Sequence, residues 1–428
     1  MAEGNNKTAL WIVDESGKEE KYSFADMAHR SSQVANYLHR LGVHKGDAIL
    51  MMVGNDVAHW EIMLAAIKIG AILVPASPFL SASELEDRML RAGVRAIVTS
   101  KAFTDKFKVQ AGGVVSIVVD GSVQGWQNYS DATRESADFK PEEATKTTDV
   151  LFRYFISSST AKPKIVEHTH VSSPVGHLAT MYWMGLRPGD VHLGVSQPGW
   201  ALHDWNNFFA PWNAEATIFI DRLNRFDAKN LLETMEKYNI TTFCAPPTVW
   251  RLLVQADLHN YSIQVRETLS TGEPLFDDIV EKVFENWKVR IRDGYGQTET
   301  AMMIGVPPGQ QTKSGSIGKP LPGYSITLQD SDGREVKEGE IVVDSAILPT
   351  HPYHTGDIAR KDDDGNYAYV GRSDDLFKCS DYRISPLEIE TVLLENPAVR
   401  DVAVIPSPDP IRYAVPKAIV VLAKGIEP

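Results

Sequence analysis

Apolar and polar positions along this chain switch repeatedly between a helical and a strand-like period. Residues 8–23 read as two short strands around a turn at 14–17. Residues 24–41 then place Phe24, Met27, Ala28, Val34, Ala35, Tyr37, Leu38 and Leu41 near helical spacing, and Gly42 is set to stop that helix. Short apolar runs at 48–53, 72–75 and 96–99 predict strands, and helical stretches at 59–69 and 84–92 separate them. The alternation predicts a parallel sheet with helices packed on it. A polar, weakly periodic connector covers 121–149. The pattern resumes with helices at 171–184, 228–237, 248–254 and 277–287, and strands at 192–196, 216–220, 241–245, 267–270 and 289–292. From about residue 303, Gly and Pro punctuate β-like pieces at 325–328, 339–343 and 367–369, which predicts a β-rich subdomain.

A length of 428 residues admits two or more domains, or one large α/β body with an appendage. A net charge of −13 argues against nucleic acid or an anionic membrane as the partner, though a local basic pocket is compatible with it. The two cysteines, Cys244 and Cys379, make neither a disulfide framework nor a zinc ligand set, so a reducing, cytoplasmic setting is expected. The N-terminus has no basic segment followed by an apolar core, so no signal peptide is expected. The apolar stretch at 63–76 is interrupted by Lys68 and Gly70 and is too short to span a bilayer.

Three clusters carry candidate chemistry. The first is YFISSSTAKPK, residues 154–164, where an apolar strand empties into Ser157, Ser158, Ser159 and Thr160 and ends at Lys164. Small residues allow backbone N–H groups to approach a phosphate, hydroxyls donate to it, and lysine adds charge. The stretch contains no glycine, and a polar strand-to-helix turn is the plainer alternative. The second is DGYGQTET, residues 293–300. A tyrosine between Gly294 and Gly296 can lie against a base, a threonine can reach a phosphate and a glutamate can hold Mg2+. A tight turn opening a helix, capped by Thr and Glu, explains it equally well. The third spans 354–390. Asp357 follows Gly356 and suits paired ribose hydroxyls, and Arg372 follows Gly371; a charged surface turn is the alternative. The run Asp362, Asp363, Asp364 before Gly365 reads as a solvated hairpin turn.

In this order and spacing the three clusters resemble the adenylate-forming superfamily, most closely its medium-chain and aryl acyl-CoA synthetases. The likeness runs from Tyr22-Ser23-Phe24 to Ser407-Pro408-Asp409-Pro410. The resemblance implies an α/β fold: a body over 1–373 of two helix-flanked sheets, with the β-rich subdomain at about 303–373. A hinge and the start of a small α+β C-terminal domain follow over 374–428. It implies a two-step reaction, in which a carboxylate and ATP give acyl-AMP and pyrophosphate, and a thiol then displaces AMP after the small domain rotates.

Residue by residue, the resemblance sets Gly272, Glu273 and Pro274 along the adenine, Asp293 near its amino group, and Tyr295 as the stacking aromatic. Thr298 falls on the α-phosphate and Glu299 on Mg2+. Asp357 falls on the ribose with Arg372 as companion. Asp374 is the hinge, and Lys378, Asp381 and Arg383 belong to the loop that swings in for thioester formation. The acid pocket draws on Trp200, His203, Trp205, Trp212, Pro247, Thr248 and Trp250, which suggests a bulky apolar acid.

Three departures modify the expectation. Where the family loop reads T-S-G-T-T-G-x-P-K, this chain has Ile156, Ser158 and Ala161 in place of the first threonine and both glycines. Aspartate 381 stands where a glycine usually precedes Tyr-Arg and the thiol arm passes. The chain ends at Pro428, before the family's adenylation lysine. The expected protein is an acyl-CoA ligase homologue that mainly converts a preformed acyl-AMP and CoA to acyl-CoA and AMP. ATP use is doubtful, the acceptor is CoA or a carrier protein, and a separate adenylating ligase is an expected supplier. A complete ATP-dependent synthetase and a non-catalytic binder of AMP or acyl-adenylate are the alternatives.

Overall fold

The computed structural model describes residues 2, 4–107, 113–156, 162–222, 225–348, 350–379, 382–409 and 413–426. Two large sheets form the α/β body. The first has seven strands, in the order Gln127–Asn128, Val115–Val118, Val94–Thr99, Ala48–Met52, Ile72–Pro75, Val150–Ile156 and Lys164–Thr169. Its strands pair in parallel except the last, which returns antiparallel beside Val150–Ile156. The second has nine strands. Its parallel centre runs Ile291–Gln297, Glu267–Thr271, Thr242–Cys244, Val191–Gly194, Thr217–Arg222 and Thr8–Asp14, with antiparallel strands at both edges.

The helix Val57–Ile69 is buried on nearly all sides, from Ala58 through Ile69. A helix apolar all round belongs inside a core, and this one shares its core with strand residues of both sheets, Leu10 and Ile12 from one, Ile49 and Leu73 from the other. Its single buried charge, Glu61, is met by Arg30 and by the Tyr129 hydroxyl. The preceding helix, Phe24–Arg40, starts on a reciprocal cap: the Ser23 hydroxyl accepts from the Asp26 N–H, and the Asp26 carboxylate accepts from the Ser23 N–H. Gly70, Gly93 and Gly185 end three helices in the left-handed conformation that a Cβ disfavours.

A third, antiparallel sheet of four strands follows, Ser325–Gln329, Glu338–Asp344, Tyr353–Lys361 and Tyr367–Arg372. Beyond it lie the hairpin of Phe377–Cys379 with Tyr382–Ile384, the helix Pro386–Leu394, and the long hairpin of Val399–Asp409 with Tyr413–Leu422. The fold is thus α/β with a large N-terminal body and a smaller, β-rich C-terminal part. No helix among the described residues is long and apolar enough to cross a membrane.

Several local expectations change. The strand Val150–Ile156 is followed by a second strand, Lys164–Thr169, paired antiparallel with it, rather than by a helix. The segment DGYGQTET does not open a helix: the strand continues to Gln297, a tight turn follows, and Ala301–Gly305 pairs back antiparallel. Asp357 lies within a strand rather than on a surface turn. Residues 201–213 are helical, with a π-turn at Trp205–Phe209 where Asn207 leaves helical geometry.

Candidate active site

Ligands of open α/β sheets sit beyond the carboxyl ends of the strands. Here the carboxyl ends of Glu267–Thr271 and Ile291–Gln297 open on a cavity of about 1030 Å3. Thr271, Gly272 and Glu273 border it from the first strand, and Gly296, Gln297, Thr298 and Glu299 from the second. Lys164 enters from the seven-stranded sheet, Trp200, Leu202 and Trp205 from the helical segment, and Arg372 and Asp374 from the end of the four-stranded sheet. Five separate parts of the chain therefore converge on one space.

Next to the lining residue Gly356, and outside the lining itself, lies Asp357, only 4% exposed. Asp357 and Arg372 are directly paired across their hairpin, with a guanidinium nitrogen 3.5 Å from Oδ1. The Tyr369 hydroxyl donates to Oδ1 at 3.2 Å, and the Tyr295 hydroxyl and the Gln297 amide donate to Oδ2 at 2.5 and 2.6 Å. Burial and the neighbouring Asp357 carboxylate push the Tyr295 phenol far above its ordinary value, so it stays a donor at neutral pH. Gln297 is pinned in turn: its amide nitrogen also donates to the Thr355 carbonyl, and its oxygen accepts from the Tyr353 hydroxyl. Four donors thus fix a carboxylate beside the cavity.

Glycines 294 and 296 have a packing cause. A Cβ on Gly294 would lie 2.6 Å from the Trp183 ring, and one on Gly296 would lie 2.1 Å from the Ala301 carbonyl oxygen. Trp183 also donates to the Asp293 carbonyl at 3.0 Å. Burial pushes the Asp293 carboxyl up to about 8, and the Gly294 N–H donates to it. Asp293 and Pro274 border a neighbouring cavity of about 340 Å3, together with Tyr369 and Ile317.

On the cavity border, the Lys164 ammonium lies 3.9 Å from the Glu299 carboxylate. The buried His168, four residues along the same strand, spans 2.6 Å to the Thr298 carbonyl through Nε2 and 3.2 Å to the Ser172 hydroxyl through Nδ1. Burial lowers the imidazole's proton affinity, so the ring is neutral and Nε2–H is the donor to Thr298. Thr298 and Glu299 are therefore held in register with Lys164 by a residue outside every motif. Residues Ser157, Ser158, Ser159, Thr160 and Ala161 lie outside the described residues, as does Asp381. The backbones of Lys378 and Arg383 face each other in the short hairpin.

The expected acid pocket is divided. Trp200, 62% exposed, and Trp205 border the cavity, with Pro246 opposite. His203, Trp212, Pro247 and Trp250 do not. The Trp212 ring nitrogen donates to the Ala9 carbonyl at 2.9 Å, and that of Trp250 to the Leu269 carbonyl at 3.1 Å. His203 is fully buried, which lowers its pKa to about 4. The Thr248 hydroxyl and the Arg251 guanidinium both donate to Glu273. Gln297, Tyr353, Tyr369, His168 and Glu340 are the site residues missed by sequence reasoning. Their only signal was chain proximity to the motifs, and their roles depend on strand pairings that no local pattern specifies.

A cavity at the carboxyl edge of a parallel sheet, with Lys164, Thr298 and Glu299 on its border and a buried carboxylate beside it, stands where open α/β sheets take their ligands. Comparison with known proteins agrees: residues 1–349 match the family described as AMP-binding enzyme and residues 388–428 its C-terminal domain. The chain belongs to the AMP-binding enzyme family. It is 36% identical over 455 aligned residues to 4-hydroxybutyrate–CoA ligase 1 of Metallosphaera sedula, covering 100% of this chain and 80% of that protein. It is 35% identical to the mitochondrial acyl-coenzyme A synthetase ACSM5 of Homo sapiens, covering 97% of this chain and 77% of that protein. Among solved structures, the anthranilate CoA ligase AuaEII in complex with anthranoyl-AMP superposes with a TM-score of 0.89 at 25% identity, covering 99% of this chain and 85% of that one.

Proposed function

We propose that the protein is an acid–thiol ligase that works mainly in the second half-reaction, taking an acyl-adenylate and CoA to acyl-CoA and AMP. The thiol gives up its proton to solvent, its sulfur bonds to the acyl carbon, the bond from that carbon to the phosphate oxygen breaks, and AMP leaves with the electron pair. The observation behind this reading is a contrast. Asp357 is fixed by Tyr295, Gln297 and Arg372, and in this reading that cluster is the site for the adenosine half. The loop that would hold the β- and γ-phosphates has lost its glycines at Ser158 and Ala161. A Cβ there limits both backbone angle and approach to an oxyanion. Loss of one oxyanion donor costs roughly 3 kcal/mol, about a hundredfold in rate. Those phosphates are present only in the first half-reaction.

In this reading Asp357 holds the ribose hydroxyls, with Arg372 beside it. Thr298 donates to the α-phosphate, and Lys164 offsets its charge. Glu299, on the cavity with a carboxylate 16% exposed, fits a magnesium site, since Mg2+ takes one or two carboxylates and fills its other positions with phosphate and water. Bound there, the ion would neutralise phosphate charge. Asp374 is the hinge, and Lys378, Asp381 and Arg383 belong to the thiol-step loop. CoA is the proposed acceptor, with a carrier-protein thiol as the other candidate, and a separate adenylating ligase would supply the acyl-adenylate. Trp200, Leu202, Trp205 and Pro246 favour an acid with an apolar body. The named relatives, a 4-hydroxybutyrate ligase and an anthranilate ligase, favour a small one.

The repair variant Ser158→Gly/Ala161→Gly tests the role of the loop. It is expected to raise acid-dependent ATP–pyrophosphate exchange by about tenfold or more, within the range of one restored donor, and to leave acyl-AMP turnover with CoA nearly unchanged. An unchanged exchange rate would show that the loop is not what limits adenylation.

A further inference from the structure

Away from the large cavity, the end of the helix Phe24–Arg40 and the connector ahead of the strand Val150–Ile156 meet at a cleft of about 380 Å3. His39, His44 and Glu142 border it. His39 Nε2 lies 3.0 Å from Glu142 Oε1, and His44 Nδ1 lies 3.4 Å from Glu142 Oε2. The imidazoles meet edge-on, with centroids 4.9 Å apart and planes at 85°. One ligand atom from each of the three residues falls within 4.8 Å of the others, the only such group among the described residues.

These spacings suit a cation as well as a hydrogen bond. Bonds of about 2.0–2.1 Å in a tetrahedral zinc site place neighbouring ligand atoms about 3.4 Å apart. Two neutral imidazoles with one carboxylate match zinc and the neighbouring late transition metals, whereas Mg2+ requires oxygen ligands. The frame that carries the histidines is fixed. The Gly42 N–H donates to the His39 carbonyl at 2.9 Å, and the His44 N–H donates to the Asp47 carboxylate at 2.8 Å. The one lysine bordering the cleft is turned to other partners, since the Lys45 ammonium lies 2.9 Å from the Asp149 carboxylate and donates to the Ala144 carbonyl at 2.9 Å. The three side chains are 35%, 49% and 63% exposed, which leaves an entry path and room for water as the remaining ligand.

We propose that His39, His44 and Glu142 bind one zinc-class divalent cation, which clips the connector to the helix end. The clip joins segments far apart in sequence, and the connector runs directly into the strand that precedes the phosphate loop. Occupancy therefore stabilises the folded state, because the three ligands come together only there.

The test is zinc titration of untagged, chelator-stripped protein against a chromophoric competitor, with melting curves alongside. One zinc per chain is expected, with a rise in Tm at saturation. His44→Ala and Glu142→Gln should each weaken binding roughly tenfold or more, while His44→Cys, which keeps a zinc ligand, should retain it. Acyl-AMP turnover of the variants should match the parent, because none of these residues borders the large cavity. The absence of stoichiometric zinc binding would overturn the proposal. So would equal zinc affinity in a folded His44→Ala/Glu142→Gln protein, which would mean that the three groups simply pair with one another.

Discussion

At the scale of single residues, Asp357 concentrates the electrostatics of the site. Four donors from Tyr295, Gln297, Tyr369 and Arg372 surround one buried carboxylate. Replacing it with alanine removes one acceptor from each of them, although Gln297 keeps the Thr355 carbonyl and Arg372 keeps Asp374, and a buried donor left unmet costs about 1–3 kcal/mol. Asp357→Ala is therefore expected to weaken AMP binding by at least about tenfold and to lower Tm, whereas Asp357→Asn should recover most of the Tm but not the affinity. Calorimetric titration with AMP and a thermal melt check both. The identity of Asp357 as a candidate was legible from its neighbours Gly356 and Arg372. Gln297 was not, because its part depends on the pairing that brings residues near 297 against residues near 355. The glycines of the same motif were legible as necessary but for another reason than the structure gives. Trp183 and the Ala301 backbone occupy the space, so Gly294→Ala should destabilise by about 1–3 kcal/mol through overpacking, measured by denaturant unfolding.

At the scale of elements, periodicity located the helices and the parallel strands well, because burial on one face fixes their pattern. It failed where tertiary contact decides. The strand Lys164–Thr169 carries Lys164 and His168 into the site, yet alternates too weakly to stand out. The helical segment from Ala201 to Asn213 is so rich in aromatics that no single face marks it. A buried pair ties that segment to the phosphate-loop strand: the Tyr154 hydroxyl donates to Asp204 Oδ2 at 2.6 Å. Burial pushes the Asp204 carboxyl up to about 7, from an ordinary value of 3.8. The folded protein therefore holds this proton more tightly than the unfolded chain. The resulting stability is full below about pH 4 and is lost as pH rises towards and through 7. Asp204→Asn keeps the acceptor and removes the ionisation. Its stability relative to the parent should rise from about pH 4 to about pH 7 and level off above that, at up to about 1.4 kcal/mol per unit of the shift traversed. Parallel pH-dependent melts that give a constant difference would contradict this assignment.

At the scale of the whole molecule, two large sheets and a small antiparallel sheet place at least five distant segments around one cavity. The α/β class and the family were legible because the order of three motifs is itself a long-range signal. The division of the tryptophans was not: Trp200 and Trp205 border the cavity, while Trp212 and Trp250 spend their ring nitrogens on backbone carbonyls inside the core. Composition counts aromatic residues without saying which side of a helix they occupy. The proposed contrast between an adenosine site around Asp357 and a glycine-free phosphate loop is likewise a proposal about the whole, since neither half carries it alone. The most direct measurement compares the two half-reactions on the same protein preparation, across a panel of small and aromatic acids. One assay follows acid-dependent ATP–pyrophosphate exchange, the other AMP release from the matching acyl-AMP with CoA. The account predicts turnover of acyl-AMP with CoA that exceeds exchange by about a hundredfold or more; exchange as fast as that turnover would contradict it.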